Sequence, residues 1–240
     1  MLSAILITKN EEVNISRCLD SLKGLVDEIV IVDSGSTDDT LNIAKKYNAK
    51  IYYRQFDDFA SQRNYSVMKA TGDWILSLDA DETIDDTLRK EIKINTSKTE
   101  FDAFLISRRN IIFGKEIKYS RWSPDKHVWL FKKGKGTFYG AVHEEVKVKG
   151  QIGNLSGHKL HYSHKNIHDF LEKMNTYTTS ESENKKYVNL GIALFAVARS
   201  FVGRYVLKQG FRDGWRGFVL AYLMSIYRLT TFVKQWEKQK

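Results

Sequence analysis

The first hundred residues alternate between two spacings of apolar side chains. Ser3–Thr8, Glu28–Asp33 and Trp74–Asp79 are short, almost wholly apolar runs, the texture of strands covered on both faces of a parallel sheet. Between them, Glu11–Leu22, Thr37–Tyr47 and Phe59–Ala70 repeat their apolar residues at helical spacing with charges on the other side, which predicts amphipathic helices. Asp38 and Asp39 stand near the start of the second helix, at its positive end. This βαβα alternation predicts a doubly wound α/β sheet with right-handed crossovers. In such sheets ligands bind beyond the carboxyl ends of the strands. The polar clusters fall at those ends: Thr8-Lys9-Asn10-Glu11, Asp33-Ser34-Gly35-Ser36 and Asp79-Ala80-Asp81-Glu82.

From Asp102 to about Tyr162 the texture changes to short β-like runs, Ala103–Ser107, Val128–Lys132 and Val146–Val148, punctuated by glycines. This predicts a mixed or antiparallel extension of the first sheet. Residues 165–185 then read as a polar amphipathic helix and 187–236 as helical and apolar-rich. No internal repeat, low-complexity tract or linker interrupts the chain.

The length of 240 residues suits one large domain, or one domain with an appendage. The single cysteine, Cys18, excludes an intramolecular disulfide framework and a Cys-based zinc cluster, and fits a reducing compartment. It shares helical spacing with Ile15, Leu19 and Leu22, as a core residue would. The N-terminal apolar run is short, with no basic stretch before it and no small-residue cleavage site after it, so it reads as a strand and not a signal peptide. Charge is divided unevenly. Residues 1–100 hold 13 Lys+Arg against 18 Asp+Glu, a net of −5, and residues 101–240 hold 25 against 11, a net of +14. A basic second half implies an anionic partner, and a membrane surface or nucleic acid would serve.

Asp79 and Asp81 leave the end of an apolar strand two residues apart and can point into one site. Hard oxygen ligands with room for water and phosphate are what Mg²⁺ or Mn²⁺ prefers. Taken alone, the triplet better suits a solvated turn, or an N-cap for a helix from Ile84. Its surroundings favour the metal. Asp33 ends another strand and is followed by a Ser-Gly-Ser-Thr turn whose amides and hydroxyls can hold a ribose or phosphate. Gln62-Arg63-Asn64 lies on the helix leading into the Asp79 strand, where an Arg can neutralise a diphosphate.

Together these stretches, TKNEE at 8–12, VDSGSTDDT at 32–40, ASQRN at 60–64 and GDWILSLDADE at 72–82, resemble the family 2 glycosyltransferases of GT-A fold in order and spacing. SPDKHVWLFKK at 123–133 and Val-His-Glu at 142–144 resemble the branch that adds sugars to lipopolysaccharide cores and related glycolipids. One position departs from that branch, since Trp129 stands where an Arg usually precedes the Leu-Phe pair. The resemblance implies a GT-A-like doubly wound mixed sheet over residues 1–165, with a nucleotide-binding half (1–100) and an acceptor half (101–165). A helical basic extension over 166–240 would follow.

The resemblance also implies residue roles. Thr8, Asn10, Glu11, Asp33, Arg63 and Asp79 would bind the nucleotide-sugar, and Asp79 and Asp81 would position a divalent cation, Mg²⁺ or Mn²⁺, at its diphosphate. Such a cation stabilises the leaving group as the glycosidic bond breaks. An inverting transfer needs one more group, a base for the acceptor hydroxyl. The resemblance favours Glu144 for this, with Glu145 in reserve. If Val142, Glu144 and Val146 alternate as a strand, Glu144 and Glu145 point to opposite faces. Both could instead be surface carboxylates pairing with Lys147 or Lys149.

His158, His161, His164 and His168 recur at spacings of three, three and four, which hints at zinc. Leu160-His161-Tyr162 reads better as a strand leading into a loop, and no carboxylate or cysteine in the sequence pattern completes a zinc set. His161 or His164 approaching the cation or the donor phosphates is the subtler option. In the tail, from Arg199 to Lys240, nine Lys+Arg face only Asp213 and Glu237. Its longest uncharged runs, Tyr187–Ala198 and Gly217–Tyr227, fall short of the roughly 20 apolar residues that span a bilayer. Basic residues, apolar faces and Tyr205, Trp215, Tyr222, Tyr227 and Trp236 fit helices lying on an anionic leaflet. A helical subdomain with solvated charges fits equally.

The sequence thus predicts a metal-dependent inverting glycosyltransferase that takes a sugar from a UDP-sugar. Its acceptor would be lipid-linked or a lipopolysaccharide core, and it would work at the cytoplasmic face of the cell membrane without a nucleic-acid partner. A nucleotidyltransferase acting on a sugar phosphate is the first alternative, though no Gly-rich phosphate loop followed by Lys supports it. A basic nucleic-acid-binding protein is the second. Acidic strand ends would repel phosphate without a metal and argue against it.

Overall fold

The computed structural model describes residues 1–123, 125–140, 144–184 and 189–239. The chain forms two compact units: Met1–Arg108 with Asp125–His161, and Arg109–Pro124 with Tyr162–Lys240. Residues 109–124, expected within the acceptor half, group with the C-terminal helices.

In the first unit, strand β1 (Leu2–Thr8) leads into helix α1 (Ile15–Leu22), strand β2 (Glu28–Asp33), helix α2 (Thr40–Lys45), strand β3 (Lys50–Tyr53) and helix α3 (Phe59–Lys69). Strands β4 (Trp74–Ser77) and β5 (Glu82–Ile84), then helix α4 (Asp86–Ser97), complete the expected nucleotide-binding half. The βαβα pattern is present, with β1 parallel to β2 and β4, and β2 parallel to β3. Leu2, Ala4, Ile5 and Leu6 of β1 are all buried, since α1 and α3 cover opposite faces. The α1 positions Ile15, Cys18, Leu19 and Leu22 are all fully buried, so Cys18 is a core residue.

Four boundaries differ from the expected ones. Helix α1 starts at Ile15 and not Glu11, and the Glu11 and Glu12 amides before it donate to Thr40 Oγ1 and Asp38 Oδ2. Helix α2 starts at Thr40 because Asp38 Oδ1 accepts from the Thr40 amide and hydroxyl. The third strand stops at Ser77, and the helix expected from Ile84 begins at Asp86, where Asp85 accepts from the Leu88 amide at 2.7 Å. Strand β3 adds to the expected pattern. It is a half-exposed edge strand without the buried run that marks its neighbours.

The chain continues through strands β6 (Ala103–Ile112), β7 (Lys115–Ile117), β8 (Asp125–Lys132), β9 (Gly136–Tyr139), β10 (Glu145–Val148) and β11 (Ile152–His164). The main sheet runs β3-β2-β1-β4-β8-β6-β11-β5, with β7 beside β6, while β10 and β9 form a separate antiparallel pair. The switch from parallel to antiparallel comes at β4, which pairs antiparallel with β8. The mixed extension predicted for the second hundred residues is therefore present. Gly157 on β11 is a packing requirement, because a Cβ there would sit 2.2 Å from the Leu88 amide nitrogen at the start of α4.

In the second unit, helices α5 (Ile167–Asn184) and α7 (Trp215–Glu237) pack around Ile112, Ile117, Phe170, Leu220 and Leu223, and α6 (Leu190–Val202) packs on α7. The region expected as helical over 187–236 is interrupted. A π-helical turn at Gly203–Leu207 and a 3-10 turn at Gly210–Asp213 separate α6 from α7, with Gln209 at φ 54° and Gly214 at φ 68°. Left-handed residues cannot continue an α-helix, so the chain turns.

Candidate active site

The ends of β1 and β2 are stitched together by their own polar residues. Thr8 and Asp33 are register partners, and the Thr8 hydroxyl donates to Asp33 Oδ1 at 3.0 Å. Asp33 Oδ2 accepts from the Gly35 and Ser36 amides, each at 2.8 Å, and Oδ1 also accepts from the Ser36 hydroxyl. Asp33 is only 2% exposed, so what it offers is the shape of the Ser34–Ser36 turn. Asn10, at φ 56°, accepts from the Thr37 amide, and its own amide donates to Ser36 Oγ. Glu11 accepts from Asn14 Nδ2 at 2.8 Å. Gln62, fully buried on α3, donates to Ser34 Oγ and to the Arg54 carbonyl. Its Oε1 has no partner among the described residues.

Between β4 and β5 the acidic triplet forms a tight turn. The Asp79 amide donates to Glu82 Oε2 at 2.9 Å, and the Glu82 amide donates back to the Asp79 carbonyl at 3.0 Å. This reciprocal pair fixes the turn and leaves the Asp79 and Asp81 side chains outside it. Cys18 Sγ meets the Asp79 carbonyl from below at 3.4 Å.

Arg63 joins this turn to the far loop. Its Nη2 donates to Asp79 Oδ1 at 2.5 Å, its Nη1 to Ser77 Oγ at 3.1 Å and its Nε to Glu144 Oε1 at 2.7 Å. The guanidinium is 3% exposed and lies 5.7 Å from the Phe138 ring centroid. Burial works to lower the Arg63 pKa, but Asp79 and Glu144 outweigh it and raise it. Burial pushes the Asp79 carboxyl up, whereas Arg63, Lys159 and His161 together hold it below the ordinary carboxylate range. Glu144 lies just before β10, and Val142 and His143 lie outside the described residues. Glu145, the reserve base, is exposed and accepts from the Tyr139 hydroxyl at 2.7 Å.

Behind the turn lies a buried charge network that sequence reasoning missed. Lys159 and Glu82 are both fully buried and paired, and Lys159 Nζ also donates to the Ser77 carbonyl at 3.2 Å. Arg108 reaches Glu82 at 3.4 Å and Asp125 at 2.6 Å, and His127 Nε2 lies 2.7 Å from Asp125 Oδ1. Trp129 covers the network, its ring 3.6 Å from Lys159 Nζ. At the position of departure from the lipopolysaccharide branch, an aromatic face thus meets a buried ammonium. Burial is the largest influence on Lys159 and leaves its pKa below the ordinary value. One signal for this lysine was legible: Gly153, Leu155 and Gly157 alternate inward on β11, and period two puts Lys159 on the same face.

The histidines do not converge. His158 pairs with Asp85 at 3.2 Å, His161 with Asp81 at 3.3 Å, His164 with Asp169 at 3.5 Å and His168 with Glu172 at 3.6 Å. Burial works to lower the His161 pKa, but the contact with Asp81 outweighs it and raises it. Among the described residues, no three His, Cys, Asp or Glu side chains stand close enough to cage a metal by themselves. Asp79 and Asp81 still suit a hard cation, since Mg²⁺ and Mn²⁺ commonly take one or two carboxylates and complete their shell with water and substrate phosphate.

Residues 3–157 match the family model described as glycosyl transferase family 2. A glycosyltransferase of Rickettsia typhi is 28% identical over 97% of this chain and 86% of its own length. The lipopolysaccharide core biosynthesis glycosyltransferase LpsC of Rhizobium meliloti is 27% identical over 99% of this chain and 92% of its own length. Among solved structures, residues 1–349 of S. aureus TarS in complex with UDP-GlcNAc are similar, with a TM-score of 0.48 and 17% identity over 98% of this chain and 89% of that one.

Proposed function

The chain belongs to glycosyl transferase family 2 and is a glycosyltransferase, and from that premise we propose that it moves a sugar from a UDP-sugar to a hydroxyl of a lipid-linked or lipopolysaccharide-core acceptor, with inversion at the anomeric carbon. The acceptor class follows the role of the R. meliloti relative in lipopolysaccharide core biosynthesis. The observation that carries the reading is the Asp79–Arg63–Glu144 linkage, in which one buried guanidinium holds the acidic turn and a carboxylate from a distant loop.

Asp79 and Asp81 would hold a divalent cation, which would supply charge neutralisation at the donor diphosphate. Thr8, Asn10, Glu11 and Asp33 shape the turns that receive the nucleoside. Glu144 takes the proton from the acceptor hydroxyl, and its Oε2 is the oxygen left over from the contact with Arg63. Arg63 keeps that carboxylate oriented and compensates its charge.

Isothermal calorimetry with UDP, with and without Mn²⁺, tests the donor site. Binding that requires the metal and disappears in Asp81→Asn is the expected result. Metal-independent binding, or none in either condition, overturns the assignment. Detection of released UDP when a UDP-sugar is supplied then separates sugar transfer from nucleotidyl transfer, which would release pyrophosphate from a nucleoside triphosphate.

A further inference from the structure

The second unit leaves an unusual surface uncovered. From Leu190 through Leu207 the chain is one continuous helical run of 18 residues with a mean hydropathy of 1.5, and only 11% of it is buried. Leu194, Phe195, Val206 and Leu207 lie open, Phe195 at 67% and Leu207 at 74% exposure. Across the turn, Phe211 and Trp215 are exposed too, at 51% and 61%. Isolated exposed apolar side chains are ordinary, but so many along one segment mark an interaction surface.

Its charge has one sign. Arg199, Lys208 and Arg212 are exposed along the same segment. The sole acid between residues 190 and 216 is Asp213, which is buried and accepts from the Lys118 and Tyr119 amides. Two copies of the chain meeting through this patch would bring both sets of cations together at a like-charge cost. An anionic lipid surface takes up the apolar side chains and the cations at once.

The run is long and apolar enough by length and composition to cross a bilayer, yet its details argue for lying flat. Arg199 is its tenth residue, and Arg204 follows. At about 1.5 Å per residue it reaches roughly 27 Å, close to a hydrocarbon core of about 30 Å, so the charges and not the length decide. It ends in the irregular backbone of residues 208–214, which lipid would leave without partners if the turn were driven through the core.

We propose that α6, the turn after it and the start of α7 form a docking surface for an anionic lipid bilayer, lying in the plane of the headgroups. Phe195, Leu207, Phe211 and Trp215 enter the acyl boundary, and Arg199, Lys208 and Arg212 meet lipid phosphates. The proposal deepens the reading of a lipid-borne acceptor, but it stands on the patch and is tested apart from transfer.

The test is flotation of the full chain with phosphatidylcholine vesicles, alone or with roughly a third phosphatidylglycerol. Co-flotation only with the anionic vesicles, weakening as salt is raised, is expected. Phe195→Glu and Leu207→Glu, both at exposed positions, should each weaken it about tenfold. Arg199→Glu with Lys208→Glu should weaken it more than tenfold, at about fivefold for each cation lost. All variants should keep the wild-type melting temperature and UDP binding. Equal flotation with neutral vesicles, no flotation, or variants that float like the wild type would overturn the proposal. So would resistance to alkaline carbonate extraction, which marks a spanning segment, or a wild-type dimer that Phe195→Glu dissociates. Flotation without UDP binding would sink the donor assignment and leave this surface standing.

Discussion

Arg63 and Glu144 are 81 positions apart in the chain and 2.7 Å apart in the structure, with the same guanidinium holding Asp79 at 2.5 Å. One buried cation therefore sets the distance between the acidic turn and the carboxylate assigned as base.

Removing that cation strands two carboxylates. Arg63→Met should destabilise the protein by about 3–5 kcal/mol, because a buried ionic partner is lost and its charges stay behind. Arg63→Lys keeps the charge but presents a single nitrogen, which cannot replace three separate N–H contacts. It should recover much of the melting temperature and little of the turnover. Recovery of both would show that Arg63 supplies charge alone.

Glu144→Gln separates proton transfer from architecture. Gln keeps an oxygen to accept from Arg63 and loses the basic carboxylate. Turnover should fall by roughly 10²–10⁴, while UDP binding and melting temperature stay near wild type. A variant that turns over normally would take Glu144 out of the mechanism.

The pair behind the turn is expected to be coupled. Lys159→Met leaves Glu82 buried without its closest cation and should cost about 3–5 kcal/mol. Glu82→Gln retains an acceptor for the Asp79 amide. The double variant should therefore be more stable than the sum of the single changes implies, and chemical denaturation of all four proteins measures the difference. Strict additivity would mean that the two charges do not stabilise one another.

Acid sensitivity should centre partly on Glu28, far from the site on β2. Burial pushes its carboxyl up, but Lys50, Ser3 and Thr71 together lower it from an ordinary 4.5 to about 2. A lowered carboxylate stabilises the fold above its unfolded pKa and loses that contribution as pH falls toward its folded one. The window is therefore between pH 4.5 and about 2, and the contribution is on the order of 3 kcal/mol. Urea unfolding at about pH 7 and about pH 3 should show a wild-type advantage over Glu28→Gln that shrinks in acid. An advantage independent of pH would mean that packing, not charge, carries it.

Much of this was legible along the chain. The apolar runs of β1, β2 and β4 and the helical spacing of α1 and α3 follow from local periodicity. The polar clusters at the strand ends follow from the same count, since a parallel sheet puts those ends on one edge. Thr8, Asn10, Asp33, Asp79 and Asp81 could be named because each sits within a few residues of a strand end. The boundaries were less legible, because the Glu11 and Glu12 amides meet Thr40 and Asp38, partners some 26–29 positions away that local periodicity does not register.

Only the tertiary structure decided which charges share a partner. Arg63 on α3, Asp79 after β4 and Glu144 before β10 are unrelated by any local spacing, as are Lys159 on β11 and Glu82 on β5. What joins them is the sheet order, in which β4 lies beside β8 and β11 beside β5. The interruption of the C-terminal helix was signalled by Gly210 and Gly214, which make a continuous helix doubtful, but its π-helical and 3-10 turns were not. Period and composition report how each segment buries its own apolar face. A buried charge must instead find its counterion wherever the folded chain provides one, because leaving it unpaired in the core costs several kcal/mol.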